Sequence, residues 1–201
     1  MTTETIPETA ASTGVVTYRL VPEESRFTVQ AFAEGLFSAF GHDPVIQIRD
    51  FTGEVHFVPG SFDNASLKIT VDPNSLAVSD DVKEKDRLEI EQTMRNEVLE
   101  TSKYSEIVFT SSNISVNRLA QGRCSARVIG ELTLHGVTQQ NIWISAEATI
   151  SEDRLQAKGE FSLKQSDFGI KPYSAAGGTI KLKNELKFFF DMVGKSVGSG
   201  Q

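Results

Sequence analysis

Residues 142–163 read IWISAEATI, a short turn-like segment at Ser151–Asp153, then LQAKGEFSL after Arg154. Ile142, Ile144, Ala146, Ala148 and Ile150 alternate with Trp143, Ser145, Glu147 and Thr149. Leu155, Ala157, Gly159, Phe161 and Leu163 alternate in the same way with Gln156, Lys158, Glu160 and Ser162. Successive strand side chains point to opposite faces, so each run has one dry side and one wet side. Two such runs joined by so short a turn predict antiparallel neighbours.

The same pattern extends in both directions. Toward the C-terminus, Ile180, Leu182, Leu186, Phe188 and Phe190 oppose Thr179, Lys181, Lys183, Glu185 and Lys187. Toward the N-terminus, Leu67, Ile69 and Val71 oppose Lys68, Thr70 and Asp72. Val55 and Phe57 oppose Glu54 and His56, and Phe27, Val29, Ala31 and Ala33 oppose Thr28, Gln30 and Phe32. One-sided alternation in about eight or more strands leaves a sandwich or a closed barrel. Long strands with open edges invite aggregation, which favours closure. The expected fold is therefore all-β, a single antiparallel barrel of about eight strands.

Residues 80–101 break the alternation. They are rich in helix formers, and Ile90, Met94 and Val98 recur every four residues, which predicts one amphipathic helix over 82–100. Asp80 and Asp81 place negative charge at its start, where the helix dipole favours it. Its apolar stripe suits a plug at one barrel mouth. The irregular stretches Leu36–His42 and Ser166–Ala176 are further candidates to cover a mouth. Residues 1–14 lack the basic start and apolar middle of a secretion signal, so they read as a disordered tail and the chain as cytoplasmic. The barrel domain is expected over 15–194, with a flexible tail over 195–201.

The composition narrows the function. The net charge of −7 argues against a nucleic-acid partner, which needs a concentrated basic face. No run approaches the roughly 20 apolar residues of a membrane-spanning helix. Phe outnumbers Tyr and Trp together, thirteen against three and one, which suits a surface that never meets water. The lone Cys124 can form no disulfide within the chain.

The dry faces supply the candidate ligand-binding lumen. From the first half these are Phe27, Val29, Ala31, Phe37, Phe40, Ile46, Ile48, Val55, Phe57, Leu67 and Ile69. From the second half they are Phe109, Leu132, Ile142, Ile144, Ala146, Phe161, Leu182, Leu186 and Phe188. Small barrels are usually filled by such side chains. Ala31, Ala33, Ala146, Ala148, Ala157 and Gly159 leave volume unfilled, however, and interiors do not tolerate voids cheaply. His42 and Asp43 are candidates for a head-group contact at the mouth. No metal is expected, since three or four converging ligands are wanted. His56 should face outward, and His135 lies far along the chain. No cofactor and no catalytic residue is expected. Gly194-Lys195-Ser196-Val197-Gly198 fits the nucleophile-elbow pattern without room for the following helix.

Gly130-Glu131-Leu132-Thr133-Leu134-His135-Gly136-Val137-Thr138 resembles a hairpin of the YceI-like family of polyisoprenoid-binding proteins. Phe161-Ser162-Leu163 through Ser166-Asp167-Phe168-Gly169-Ile170 is similar to that family's closing segment. Phe51-Thr52-Gly53-Glu54-Val55, Val71-Asp72-Pro73-Asn74-Ser75-Leu76 and Lys103-Tyr104-Ser105-Glu106-Ile107-Val108-Phe109-Thr110-Ser111 stand in the expected order. The similarity spans about residues 16–193. It implies a lipocalin-like barrel holding an isoprenoid chain, an isoprenoid quinone or another long lipid as its partner. Phe40-Gly41-His42-Asp43-Pro44 resembles one branch of the family, and Arg87-Leu88-Glu89-Ile90 replaces the family's usual acidic, His-containing run.

Two other readings stay open at this level. One is an enzyme acting on an apolar substrate with His42 and Asp43 as an acid–base pair. The other is a filled barrel that binds a protein, or a second copy as a homodimer, through outward hydrophobes such as Phe32 and Trp143.

Overall fold

Alternation along the chain becomes a continuous antiparallel ladder in space. The structure, a computed structural model, describes residues 14–34, 43–79, 83–119, 122–175 and 180–197. The first six strands are β1 (Val16–Leu20), β2 (Arg26–Glu34), β3 (Val45–Ile48), β4 (Phe51–Val58), β5 (Ser61–Val71) and β6 (Leu76–Val78). A helix, α1 (Glu84–Thr93), continues as one π-helical turn over Met94–Val98. Then come β7 (Ile107–Arg118), β8 (Arg123–Leu134), β9 (Val137–Ile150), β10 (Arg154–Lys164), the two-residue β11 (Ser174–Ala175) and β12 (Ile180–Ser196).

The pairing order is β1-β4-β5-β7-β8-β9-β10-β12, and β12 pairs back with β1 to close the ring. The short strands β2, β3 and β6 extend this ring. β2 pairs with β12 beyond β1, β3 with β2, and β6 with β3. Thus β1 and β2, β3 and β4, and β5 and β6 are each one strand position interrupted by a bend. The result is a closed antiparallel eight-strand barrel, as the alternation predicts.

Each bend has a local cause. Pro22 opens a tight 3-10 turn between β1 and β2, and it lacks the N–H that a ladder needs. Between β5 and β6, Pro73 opens a second such turn. It is capped by the Asp72 carboxylate, which accepts from the Asn74 N–H at 2.8 Å. The Ser75 hydroxyl accepts from the Asp50 N–H at 2.9 Å, which ties this bend to the one between β3 and β4.

The antiparallel register fixes two ends. At the far end lie the hairpins β4–β5, β7–β8 and β9–β10. At the helical end lie the β8–β9 hairpin and the connection that carries α1. Last-strand pairing runs further than the sequence suggests, since Lys195 and Ser196 pair with Arg19 and Tyr18 instead of beginning a tail. Lys195 also binds Glu24, which in turn accepts from Arg154 at 2.7 Å.

Candidate functional site

The inward faces of the strands enclose a cavity of about 970 Å³. Its wall carries Phe27, Val29, Ala31, Ile46, Ile48, Val55, Phe57, Leu67 and Ile69 from the first half. From the second half it carries Phe109, Leu132, Ile144, Ala146, Phe161, Leu182, Leu186 and Phe188. Ile142 is the exception among the described candidates. It packs against the buried cluster of Phe109, Leu132 and Phe168 and does not border the cavity. Phe37, Phe40 and His42 lie outside the described residues.

Glycine works opposite to expectation. A Cβ at Gly159 would lie 2.5 Å from the Phe190 ring, and one at Gly130 would lie 2.6 Å from the Phe109 ring. Each glycine is a seat for a neighbouring phenyl ring, so neither adds free volume. The alanines behave as expected, with Ala33, Ala126, Ala146, Ala148 and Ala157 on the wall. Gly159 is therefore removed from the residues that hollow the lumen.

Polar groups gather at the helical end. Lys83, Asp86, Glu89 and Thr93 of the helical segment, Lys164 at the end of β10, and Gln165 and Tyr173 beyond it border the cavity there. Deeper in, the lining is hydrocarbon and aromatic. The expected stripe Ile90, Met94, Val98 borders the cavity too. Met94 is buried among Leu20, Ile48 and Leu76, whereas Ile90 keeps 37% exposure. Far down the lumen, burial holds the Cys124 thiol above its ordinary range, with Arg118 opposing weakly.

What seats the helix is polar, and the apolar stripe alone does not reveal it. Glu91 is 9% exposed. Its carboxylate accepts from the Val78 N–H at 3.0 Å and from the Arg95 guanidinium at 3.2 Å. Arg95 also donates to the Leu76 carbonyl at 3.2 Å. This partly buried pair pins the helix to the edge strand β6. The only readable signal was the Glu-to-Arg spacing of four residues, ordinary for a surface helix.

A second clamp holds the chain that leaves the helix. His135, at φ 53° in the β8–β9 turn, bonds the Glu100 carboxylate through Nε2 at 2.8 Å. Its ring lies 4.5 Å from that of Tyr104. Gly136, at φ 73°, has no Cβ, and one there would lie 2.5 Å from Tyr104.

Asp43 spends its carboxylate on structure, accepting from the Ala33 N–H at 2.9 Å, and it does not border the cavity. His56 faces outward, bonding Thr17 at 2.9 Å and facing Glu54 at 3.4 Å. Trp143 is 57% exposed, with the Arg127 guanidinium 5.8 Å above its ring. No described helix is long and apolar enough to cross a membrane.

The YceI-like domain model matches residues 18–193. No curated protein matches the chain. Among solved structures, BcnA of Burkholderia cenocepacia is similar at 16% identity and a TM-score of 0.65, covering 87% of this chain and 98% of its own. A polyisoprenoid-binding domain from Saccharophagus degradans, implicated in plant cell wall breakdown, is similar at 17% identity and 0.65, with 89% and 98% covered. The YceI protein of Campylobacter jejuni is similar at 15% identity and 0.54, with 75% and 83% covered. At such identities these likenesses speak for the fold.

Proposed function

The chain belongs to the YceI-like domain family, and from that premise we propose that it binds a long apolar ligand inside the barrel. The ligand is a polyisoprenoid, an isoprenoid quinone or a similar lipid, which the protein sequesters or carries without reacting it. The observation that carries this reading is a cavity of about 970 Å³ whose polar lining is concentrated at one end. Such a wall offers an apolar tail no hydrogen bonds and needs none. At roughly 25 cal/mol per Å², burying several hundred Å² of tail releases many kcal/mol, more than ordering a flexible chain costs.

The polar rim gives the ligand a direction. A head group rests among Lys83, Asp86, Glu89, Thr93, Lys164, Gln165 and Tyr173, and the tail points toward the far end. The charges at this rim are mixed, two lysines against two carboxylates. A mixed rim favours an uncharged polar head over a phosphate, which would call for a cationic cluster. The Saccharophagus domain's description as polyisoprenoid-binding supports the ligand class. An acid–base role for the His42 and Asp43 pair gains no support from Asp43, whose carboxylate is engaged by backbone.

Organic extraction of the purified protein followed by mass spectrometry should release a long apolar molecule in near-stoichiometric amount. A protein that is empty on extraction and also fails to take up added prenols or quinones would overturn the proposal.

A further inference from the structure

The lumen has a floor. Tyr18 and Phe57 stack at the far end with centroids 5.7 Å apart and planes 6° from parallel. Phe62 follows, 5.1 Å from Phe57, and the Arg118 guanidinium caps it at 5.6 Å. Phe57 and Phe62 border the cavity and Tyr18 stands behind them, 3% exposed. Tyr18 is itself anchored, its hydroxyl donating to the Ser151 carbonyl at 2.7 Å. Packed aromatic rings with so many neighbours do not move aside cheaply.

Above the floor one side of the wall, on β8, β9 and β10, is made of small side chains. Ala126 stands opposite Ala146 across β8 and β9, and Ala148 opposite Ala157 across β9 and β10. All four border the cavity. These small side chains leave room on that side of the lumen next to the aromatic floor. A blind chamber at the end of a lumen whose polar rim is at the other end limits how much tail can be buried.

Resting on the ligand reading above, we infer that this chamber and its aromatic floor make the barrel a gauge of tail length. A tail enters through the helical end and is buried until the chamber is full, and any surplus stays in water at the rim. About 970 Å³, at roughly 30 Å³ per water-sized heavy atom, holds roughly thirty carbon atoms, or about six isoprene units. Below that capacity each added unit should raise affinity about tenfold, since most of its surface leaves water. Beyond it, added units should change affinity little. Phe57, Phe62 and Ala148 are then the residues that set the limit.

The test is a series of linear all-trans prenols of stepwise increasing length, with affinities measured on the full chain by displacement of an apolar fluorophore. The expected curve rises and then breaks at about six units. Ala148→Phe, which fills the chamber, should move the break down by about one unit, and Phe62→Ala should move it up by about one. Phe62→Leu, gentler on folding, should shift it in the same direction by less. Cys124, the chain's one cysteine, borders the deep part of the lumen and gives a second readout. Prenols long enough to fill the chamber should protect it from an apolar thiol reagent, and short ones should not.

A series without a break, or a break that none of these variants moves, overturns the gauge and leaves lipid binding standing. Failure of every prenol, and of added isoprenoid quinones, to displace the fluorophore or protect Cys124 overturns the binding reading, and the gauge falls with it.

Discussion

The two ends of the barrel are held by different physics. At the far end, Tyr18, Phe57 and Leu155 are buried side by side, with Val16, Phe62 and Ile150 packed against them. These residues come from strands of the ring itself, so that end opens only when the ring loosens. At the helical end Met94, Phe168 and Ile170 are buried too. There, however, the helix and the chain that follows it are fixed by two directional clamps, Glu91 with Arg95 and His135 with Glu100. Directional contacts break one at a time, whereas a packed cluster yields cooperatively. A binding protein benefits from this asymmetry, because one end can admit a ligand while the other stays shut.

The largest effect should come from the far end. Phe57→Ala removes a 6%-exposed ring from the stack, and cavity formation at such a site costs about 3–4 kcal/mol. Chemical denaturation should show the whole loss as a shift of the global midpoint. A loss confined to local hydrogen exchange would break the claim that this end is part of the ring's cooperative core.

Next in size is the helix clamp. Glu91→Ala strips the acceptor from the Val78 N–H and leaves the Arg95 charge without its partner. The pair is only partly buried, so the cost is put at about 2 kcal/mol, below that of a fully buried pair. Amide exchange should quicken across residues 84–98 and in β6 more than in β8 or β9. The double variant Glu91→Leu with Arg95→Leu should recover much of the loss, since an apolar replacement strands no charge. Uniformly faster exchange everywhere would erase the distinction between the two ends.

His135→Ala should act the same way on a smaller scale. It removes the bond to Glu100 and the contact with the Tyr104 ring, worth about 1.5 kcal/mol together. Exchange in residues 99–106 should respond most, and ligand uptake should be faster if this clamp restrains the open end. Unchanged exchange there would mean that Tyr104 packing against Gly136 suffices to hold the segment.

The sequence made these two ends unequally legible. In β10 and in the later part of β9 a two-residue period identifies both the strand and its inward face, whereas register shifts between Ser111 and Asn113 in β7 and between Gln139 and Ile142 in β9 interrupt that period. The first half is harder to read because three strand positions bend at Pro22, at Asp50 and at Pro73, and the bends cut the periodic runs short. Resemblance carried over the Val71–Leu76 motif without revealing that it is one of these bends. Small residues misled where backbone and ring meet. Gly159 looked like empty lumen but is filled by Phe190, a packing relation between neighbouring strands that no single run displays. The helix clamp was hidden for a similar reason: Glu91 and Arg95 look like a surface pair until β6 is laid against them. Composition could hint at an apolar interior through its Phe, but the rim, the chamber and the floor depend on which strand ends share a level in the barrel.

The smallest effect sharpens the comparison from the side of the far end. Tyr18→Phe keeps the ring stack and removes only the hydroxyl, whose acceptor is the carbonyl of exposed Ser151. Water can replace such a partner, so the cost near neutral pH should be about 0.5 kcal/mol. Alkaline pH should then distinguish the two proteins. Burial first, and the Asp153 and Glu152 carboxylates after it, hold the Tyr18 phenol above its ordinary value of 10.0. The folded state thus prefers the protonated phenol more than the unfolded chain does. The stability linked to that proton is fully present below about pH 10 and drains away as pH rises through the folded-state value. Phenylalanine has no proton to lose, so the Tyr18→Phe variant should lose stability less steeply above pH 10, closing and then reversing its small deficit. Parallel stability curves across that range would mean that the Tyr18 hydroxyl reaches water freely, and that the far end is less tightly shut than its ring stack requires.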